Sequence, residues 1–537
     1  MSRLLLAFRK SSLSVILMSV GLAWSCSNAD KRMLVFNSDG GANSFASTTP
    51  SMSTRDVCRE LDELDGTGVT VFAWCPNVGG NLFLYATERG EVMGDNIDDW
   101  DAVNPYLRDH GRKIAVNVRK VVDRGDDPIR ILAARSRELG LEFWLTMRMN
   151  EIHEDDDRFD VLRSRFKEQH PELLHGKNYH PVAQYAYKRK YSYAWNYARE
   201  EVREHKLALF EEWLRYDIDG VELDFQRSPC LFSPGKEAAG MPLLTDFVEK
   251  VNVAVGLASS RLGRDLTVAT RVPPSIERCR AAGIDIEAWM RRGLVDVVTP
   301  MDRGYFDPEP QLREFIAIAN PRGIKVLGGI EPNVRGYEST NRQVYAAVSN
   351  FQLQGVDGAY LFNYDCHRRA GGRAPNGHWK SYTDEEVAFL RSALDPAVVR
   401  AHDKQYLVSH CTYRRVAEEG GTRPLKCRFP IGEPRAFQIT VGDDVEQAER
   451  AGRLQSSTLV VVLTDCQPKP SDLNLIVNGQ KVETWQIGTT QKDGGVELRL
   501  DSPPIRQGAN TVSLMRTKGG SDVGLIESMD LNLYYRH

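Results

Sequence analysis

The nine cysteines stand singly, at 26, 58, 75, 230, 279, 366, 411, 427 and 466, and no CxxC pair occurs among them. That spacing excludes zinc-ribbon and dithiol redox chemistry, both of which need paired thiols. Charge of one sign is equally scarce: 69 Lys and Arg oppose 73 Asp and Glu, for a net charge of −4. The chain therefore lacks the basic face by which nucleic acid is held, and no nucleic-acid partner is expected. No apolar run reaches the ~20 residues that span a bilayer. His153, His175 and His180 show no HExxH or comparable ligand spacing, and Gly79–Gly80 and Gly371–Gly372 carry no phosphate-loop fingerprint. Neither a metal nor a cofactor is expected. The acidic run Glu154–Asp157 lacks the ligand order of an EF-hand loop and reads as a solvated loop.

What the sequence does hold is material for a core, with 42% hydrophobic, 9% aromatic and 26% charged residues over a length of 537. This is a globular composition, too long for one small module. Arg3, Arg9 and Lys10, the apolar run Leu13–Trp24 and the small residues around Cys26–Asp30 have the order of a secretory signal over residues 1–25. Cleavage falls before Cys26 or before Asp30, and Cys26 is a candidate lipid-anchoring site. Removing the leader takes the net charge to about −7. An exported protein, secreted, periplasmic or at the cell surface, is expected. Such a compartment permits disulfides, with Cys411 pairing with Cys427 or Cys466 as candidates.

Between residues 33 and 395, short β-branched runs alternate with longer amphipathic stretches, the pattern of repeated βα units. Eight runs qualify: Met33–Phe36, Val69–Trp74, either Ile114–Val118 or Leu141–Met147, Gly220–Phe225, Leu266–Thr270, Val295–Thr299, Lys325–Gly329 and Ala359–Phe362. Eight closes a (β/α)8 TIM barrel of the α/β class. Ahead of the fourth run, Val202, Leu209, Phe210, Trp213 and Leu214 share one helical face, and Gly220 suits the tight turn into the strand. From residue 400 to 537 the helical period fades. Thr458–Leu463, Leu473–Val477, Val496–Leu500, Thr511–Met515 and Met529–Tyr534 read as strands of a C-terminal all-β sandwich, with Asn478–Gly479 as a hairpin turn.

Reacting groups in such a barrel lie at strand C-termini. There the sequence places Asn37–Asp39, Trp74–Asn77, Arg148–Glu151, Glu222–Arg227, Arg271, Met301–Arg303, Glu331–Asn333 and Asn363–Asp365. Strand alternation points Glu222, Asp224 and Gln226 into the barrel and Val221, Leu223 and Phe225 toward the helices. Two neighbouring carboxylates push their pKa values apart, as an acid and a base require; the bland alternative is an internal salt bridge to Arg148, Arg227 or Arg271.

The segment Asp219–Phe225, preceded by Trp195–Ala198 and Val202–Arg203, resembles the fourth-strand region of the secreted bacterial "glycosyl hydrolase-like 10" barrels. The resemblance covers residues 33–395 in architecture and about 30 residues in specific motif. It implies a TIM barrel acting on a carbohydrate substrate, followed by an accessory sandwich. Laid on the chitinase pattern DG-x-D-x-D-x-E, the same stretch gives Asp219, Gly220, Glu222 in place of the first inner Asp, Asp224, and then Gln226 where the proton-donating glutamate belongs. An amide cannot serve as that acid, which disfavours substrate-assisted chitin hydrolysis.

The expected catalytic pair is Asp224 with Glu331, whose seventh-strand position matches the nucleophile of many retaining barrel glycosidases. Glu222 and Asp302 are the competitors, and which carboxyl is the acid stays open. Trp74, Tyr305, Phe306 and Tyr364 are candidates for stacking on sugar rings. Arg148, Asn150, Arg227 and Arg271 are candidates for binding hydroxyls or an anionic substituent. A non-catalytic carbohydrate-binding or scaffolding barrel is the alternative function.

Overall fold

The computed structural model describes residues 32–40, 44–46, 52–177, 179, 191–302, 310–334, 337–367, 380–408, 427–489, 495–518 and 524–536. The leader, Cys26, Cys411, His180, Tyr305 and Phe306 lie outside them. Among the described residues no helix is long and apolar enough to cross a membrane.

Eight parallel strands close a barrel: β1 Met33–Ser38, β2 Val71–Trp74, β3 Glu142–Arg148, β4 Gly220–Asp224, β5 Thr267–Val272, β6 Val297–Pro300, β7 Lys325–Ile330 and β8 Gly358–Leu361. They follow one another in order around the wall, with β1 paired to both β2 and β8. Each coincides with an expected run. The ambiguity at the third place resolves to Leu141–Met147, because Ile114–Val118 lies inside the helix Pro105–Val122. There Ile114, Val118 and Val121 sit on one buried helical face, so their apolar run has a helical and not a strand period.

Alternation sorts the strand residues into two cores. Val35, Val71, Ala73, Trp144, Ala269, Val297, Leu327 and Tyr360 fill the barrel, while Phe36, Phe72, Phe143, Val221, Leu223, Val268 and Val326 pack under the helices. The expected helix ahead of β4 spans Glu200–Trp213 and buries Val202, Leu209, Phe210 and Trp213. Gly220 serves packing instead of a turn: it is a strand residue whose Cβ would fall 2.8 Å from the Trp144 ring and 2.9 Å from the Thr267 carbonyl oxygen. The large indole at the barrel's base leaves room for hydrogen only.

The C-terminal region is a sandwich of one six-stranded and one four-stranded antiparallel sheet, with Leu459, Leu498 and Leu531 of the first meeting Phe437, Leu475 and Leu514 of the second in a common core. The hairpin at Asn478–Gly479 forms as expected, both residues at positive φ (50° and 79°). Cys427 and Cys466 are free cysteines, and Cys411, the expected partner of either, lies outside the described residues.

Helix Asn341–Gln354 joins the two regions, since it buries Val344, Val348 and Phe351 in the barrel's outer core and Ala346 in the sandwich core. Beside it lies a buried polar knot. The Asp443 carboxylate takes hydrogen bonds from Ser349 of that helix (2.9 Å) and from Tyr535 (2.7 Å), and pairs with the Lys404 ammonium at 3.0 Å.

Candidate active site

The barrel's polar layers begin with Glu222. Its side chain, fully buried inside the strand wall, accepts a hydrogen bond from the Tyr360 hydroxyl at 2.8 Å, spanning the interior from β4 to β8. Burial first, and then the neighbouring Asp224 charge, push the Glu222 pKa up to about 8 against the opposing pull of Arg271 and Tyr360. Glu222 is thus a protonated acid at neutral pH.

One step up, Asp224 is held on both oxygens. The backbone N–H of Arg227 donates to Oδ1 (2.9 Å) and the Arg271 guanidinium to Oδ2 (2.7 Å). Arg271 reaches from β5 to set its guanidinium carbon over the Phe362 ring, 3.7 Å from the centroid. This cation–π stack forms a floor over the apolar barrel filling. Arg271 is fully buried, and its Nε and Nη1, like Thr146 Oγ1 and Gln226 Oε1 on the two preceding strand segments, have no hydrogen-bond partner among the described residues.

Beside this floor stands a residue that the sequence reading passed over. Glu151, buried just past β3, accepts from Arg148 (3.1 Å), Arg227 (3.3 Å), His153 Nδ1 (2.5 Å) and the backbone N–H groups of Ile152 and His153. Burial would raise its pKa, but His153, Arg227 and Arg148 together hold it well below the usual carboxylate range. Arg148 also pairs with Asp39 at the end of β1. Ion pairs therefore link Asp39, Arg148, Glu151 and Arg227, and the Arg227 backbone N–H continues the connection to the Asp224–Arg271 pair. Of the internal salt bridges weighed against function, Arg271 makes one with Asp224, whereas the Arg148 and Arg227 guanidinium groups pair with Glu151 instead. In sequence, the signal for Glu151 is its place in the segment Arg148–Glu151 that ends β3.

Glu331 follows β7, where Gly328 abuts Phe351 outside and Gly329 abuts Met301 inside. The alternation places Glu331 on the inner row, buried. Asp302 is gripped on both oxygens by Arg278 Nη1, at 2.9 and 3.1 Å, from the helix Ile276–Ala281. A carboxylate so engaged serves to anchor that helix.

Three candidates are corrected. Trp74 sits on the outer row of β2, buried in the helix-side core, with its indole N–H directed to the Gly40 carbonyl. Tyr364 packs between Phe36, Tyr382 and Phe389 in the same outer core. Both are core aromatics, and for Trp74 the inward Ala73 beside it carried that information. Asn150 is a fully buried staple: it accepts from the Trp195 N–H (2.7 Å) and donates to the Cys230 carbonyl (2.7 Å), fastening two segments above the barrel. The acidic run 154–157 is likewise not all solvated, because Glu154 is fully buried against the Lys167 ammonium at 2.5 Å. Of the histidines, His153 serves Glu151, while His175 bonds the Cys230 carbonyl and is driven by burial to a pKa of about 4.

The protonation of Glu222 makes a prediction about stability. An unfolded Glu ionises above about 4.5 while the folded one keeps its proton to about 8. The folded state therefore binds more protons over that window, and stability falls as pH rises through it, by up to ~1.4 kcal/mol per pH unit. Glu222→Gln keeps an acceptor for Tyr360 and cannot ionise. Urea unfolding at pH 5 and pH 8 is expected to show a smaller loss in the variant than in the wild type; equal losses would place the Glu222 proton elsewhere.

No protein-family model matches the chain, and no curated protein matches it. Solved structures resemble it distantly. They include a Paenibacillus cycloisomaltooligosaccharide glucanotransferase (10% identity over 93% of this chain and 57% of that one, TM-score 0.32), a Thermus thermophilus α-galactosidase (16%, 68% and 62%, 0.35) and a Bacillus thuringiensis chitinase (10%, 93% and 100%, 0.37). The chain spans less than two thirds of the length of the first two. At these identities and TM-scores no activity passes from them to this chain, and the glycosyl hydrolase-like 10 resemblance rests on the fourth-strand motif.

Proposed function

We propose that this protein is an exported glycoside hydrolase that cleaves an oligo- or polysaccharide with Asp224 and Glu331. The observation that carries this reading is the setting of Asp224. It is an inward-facing carboxylate at the end of a barrel strand, fixed on both oxygens, directly above an acid that keeps its proton and beside a guanidinium with N–H groups to spare. Enclosing such a group in a barrel is costly unless it is paired or functional, and Arg271 pairs it while leaving donors for a substrate hydroxyl.

Two accepted hydrogen bonds suit Asp224 to act as base or nucleophile. Glu331, just past β7, three strand steps around the wall and also on the inner row, is its partner carboxyl. Such a pair must straddle the scissile bond, about 5 Å apart for retention or roughly 6.5–9.5 Å for inversion. Glu222, being neutral, adds no second charge beneath Asp224.

Release of reducing ends by the purified protein from a panel of α- and β-linked saccharides tests the proposal. Turnover of at least one substrate is expected. Binding of saccharides without any turnover would establish the alternative, a carbohydrate-binding barrel, for which Gln226 at the chitinase acid position is the motivating observation.

A further inference from the structure

Among the described residues, Tyr106 is the one aromatic ring that stands mostly in solvent, at 60% exposure. It opens the helix Pro105–Val122, which follows β2, and it meets the segment Asp157–Leu162, which follows β3, so both partners lie at the catalytic face of the barrel. The ring is braced. Phe159 touches it edge-on with centroids 5.7 Å apart, and the Arg158 guanidinium lies over both rings, 5.2 and 5.9 Å from their centroids. Arg158 is itself clamped by both oxygens of Asp156, with Nε at 3.0 and 3.1 Å and Nη2 at 2.6 Å. The two segments are tied by the Asn104 N–H on Asp160 (2.9 Å), while the Asn104 side chain accepts from the Tyr106 N–H (3.0 Å).

This platform is physically continuous with the candidate site. Phe159 packs on His153 with centroids 5.3 Å apart, His153 holds Glu151, Glu151 holds Arg227, and the Arg227 N–H holds Asp224. We propose that Tyr106 and Phe159, with Arg158, form a rim subsite that stacks one pyranose ring of a saccharide chain whose scissile bond lies at Asp224. This rests on the glycosidase reading and deepens it: the substrate is a chain long enough to reach from mouth to rim, beyond a disaccharide. The C–H face of a pyranose is apolar and matches an aromatic face, and the clamped guanidinium offers N–H donors to its hydroxyls. A ring already ordered by its neighbours loses little rotamer freedom when a ligand lands on it, which suits it to binding.

Affinity electrophoresis of the full chain through gels containing soluble glucans, galactans, mannans, xylans or glycol chitin tests the subsite, with reducing-end release assayed in parallel on the wild type. At least one polysaccharide is expected to retard the wild type. Tyr106→Ala should weaken that retardation about tenfold and Tyr106→Trp should restore it, one stacking contact being worth roughly that factor. Unchanged retardation of Tyr106→Ala, or no retardation of the wild type by any of the five, overturns the subsite. Turnover with Tyr106-independent binding leaves the glycosidase reading standing alone, and Tyr106-dependent binding without turnover leaves the subsite standing alone.

Discussion

Asp224→Asn is expected to lower turnover by at least ~10³-fold on any saccharide the wild type cleaves, while saccharide binding persists. The substitution keeps the shape of the side chain and an oxygen to accept the Arg227 N–H, so the backbone turn after β4 should survive. What it removes is the negative charge that a base or nucleophile must present, together with the counter-charge of Arg271, a fully buried guanidinium. The second loss gives the competing explanation, in which Asp224 exists only to neutralise Arg271. The two separate cleanly. If the role is structural, Asp224→Asn is destabilised but stays active below its melting temperature, and adding Arg271→Met, which removes the uncompensated guanidinium, restores stability. If the role is chemical, the double variant recovers stability at most. Residual turnover within tenfold of wild type in the single variant would remove Asp224 from the chemistry.

The second large effect is expected far from the mouth, at Asp443. This carboxylate receives Ser349 from the barrel helix and Tyr535 from the sandwich, and it neutralises Lys404, whose side chain is fully buried and lies 4.6 Å from the Tyr535 ring centroid. Burial pulls the Lys404 pKa down, and Asp443 opposes that pull. Asp443→Ala leaves the ammonium uncompensated in an apolar setting, which costs about 3–5 kcal/mol for a buried pair broken on one side. Urea unfolding followed by tryptophan fluorescence should show an earlier transition for the variant. Replacing both partners, with Lys404→Met and Asp443→Leu, should recover most of the loss, since an apolar pair of similar volume needs no counter-charge. A single-variant loss under ~1 kcal/mol would mean that water reaches Lys404.

How far the sequence speaks for itself differs between fold and site. The eight barrel strands were legible because parallel strands covered on both faces carry continuous β-branched runs, and because eight is a closing number. The sandwich hairpin at Asn478–Gly479 was legible because few residues other than Asn and Gly tolerate consecutive positive φ. The inward direction of Glu222 and Asp224 followed from the period of two, and the same rule already placed Trp74 outside once Ala73 was recognised as inside.

What the sequence alone determined, then, is the architecture and the list of polar residues at the strand ends, since both follow from local periods of two and 3.6 residues. Only the tertiary structure decided how those residues divide the work. Arg271 meets Phe362, 91 positions along the chain, and Glu222 finds Tyr360 at a separation of 138. Glu151 gathers Arg148, Arg227 and His153 from two different segments. Such pairings depend on which side chains meet when the barrel closes, and no local pattern records them. Tyr106 shows the same limit from the other side: in sequence it is an ordinary helix-start tyrosine, and only the fold sets it in solvent against Phe159 and Arg158 at the rim of the mouth.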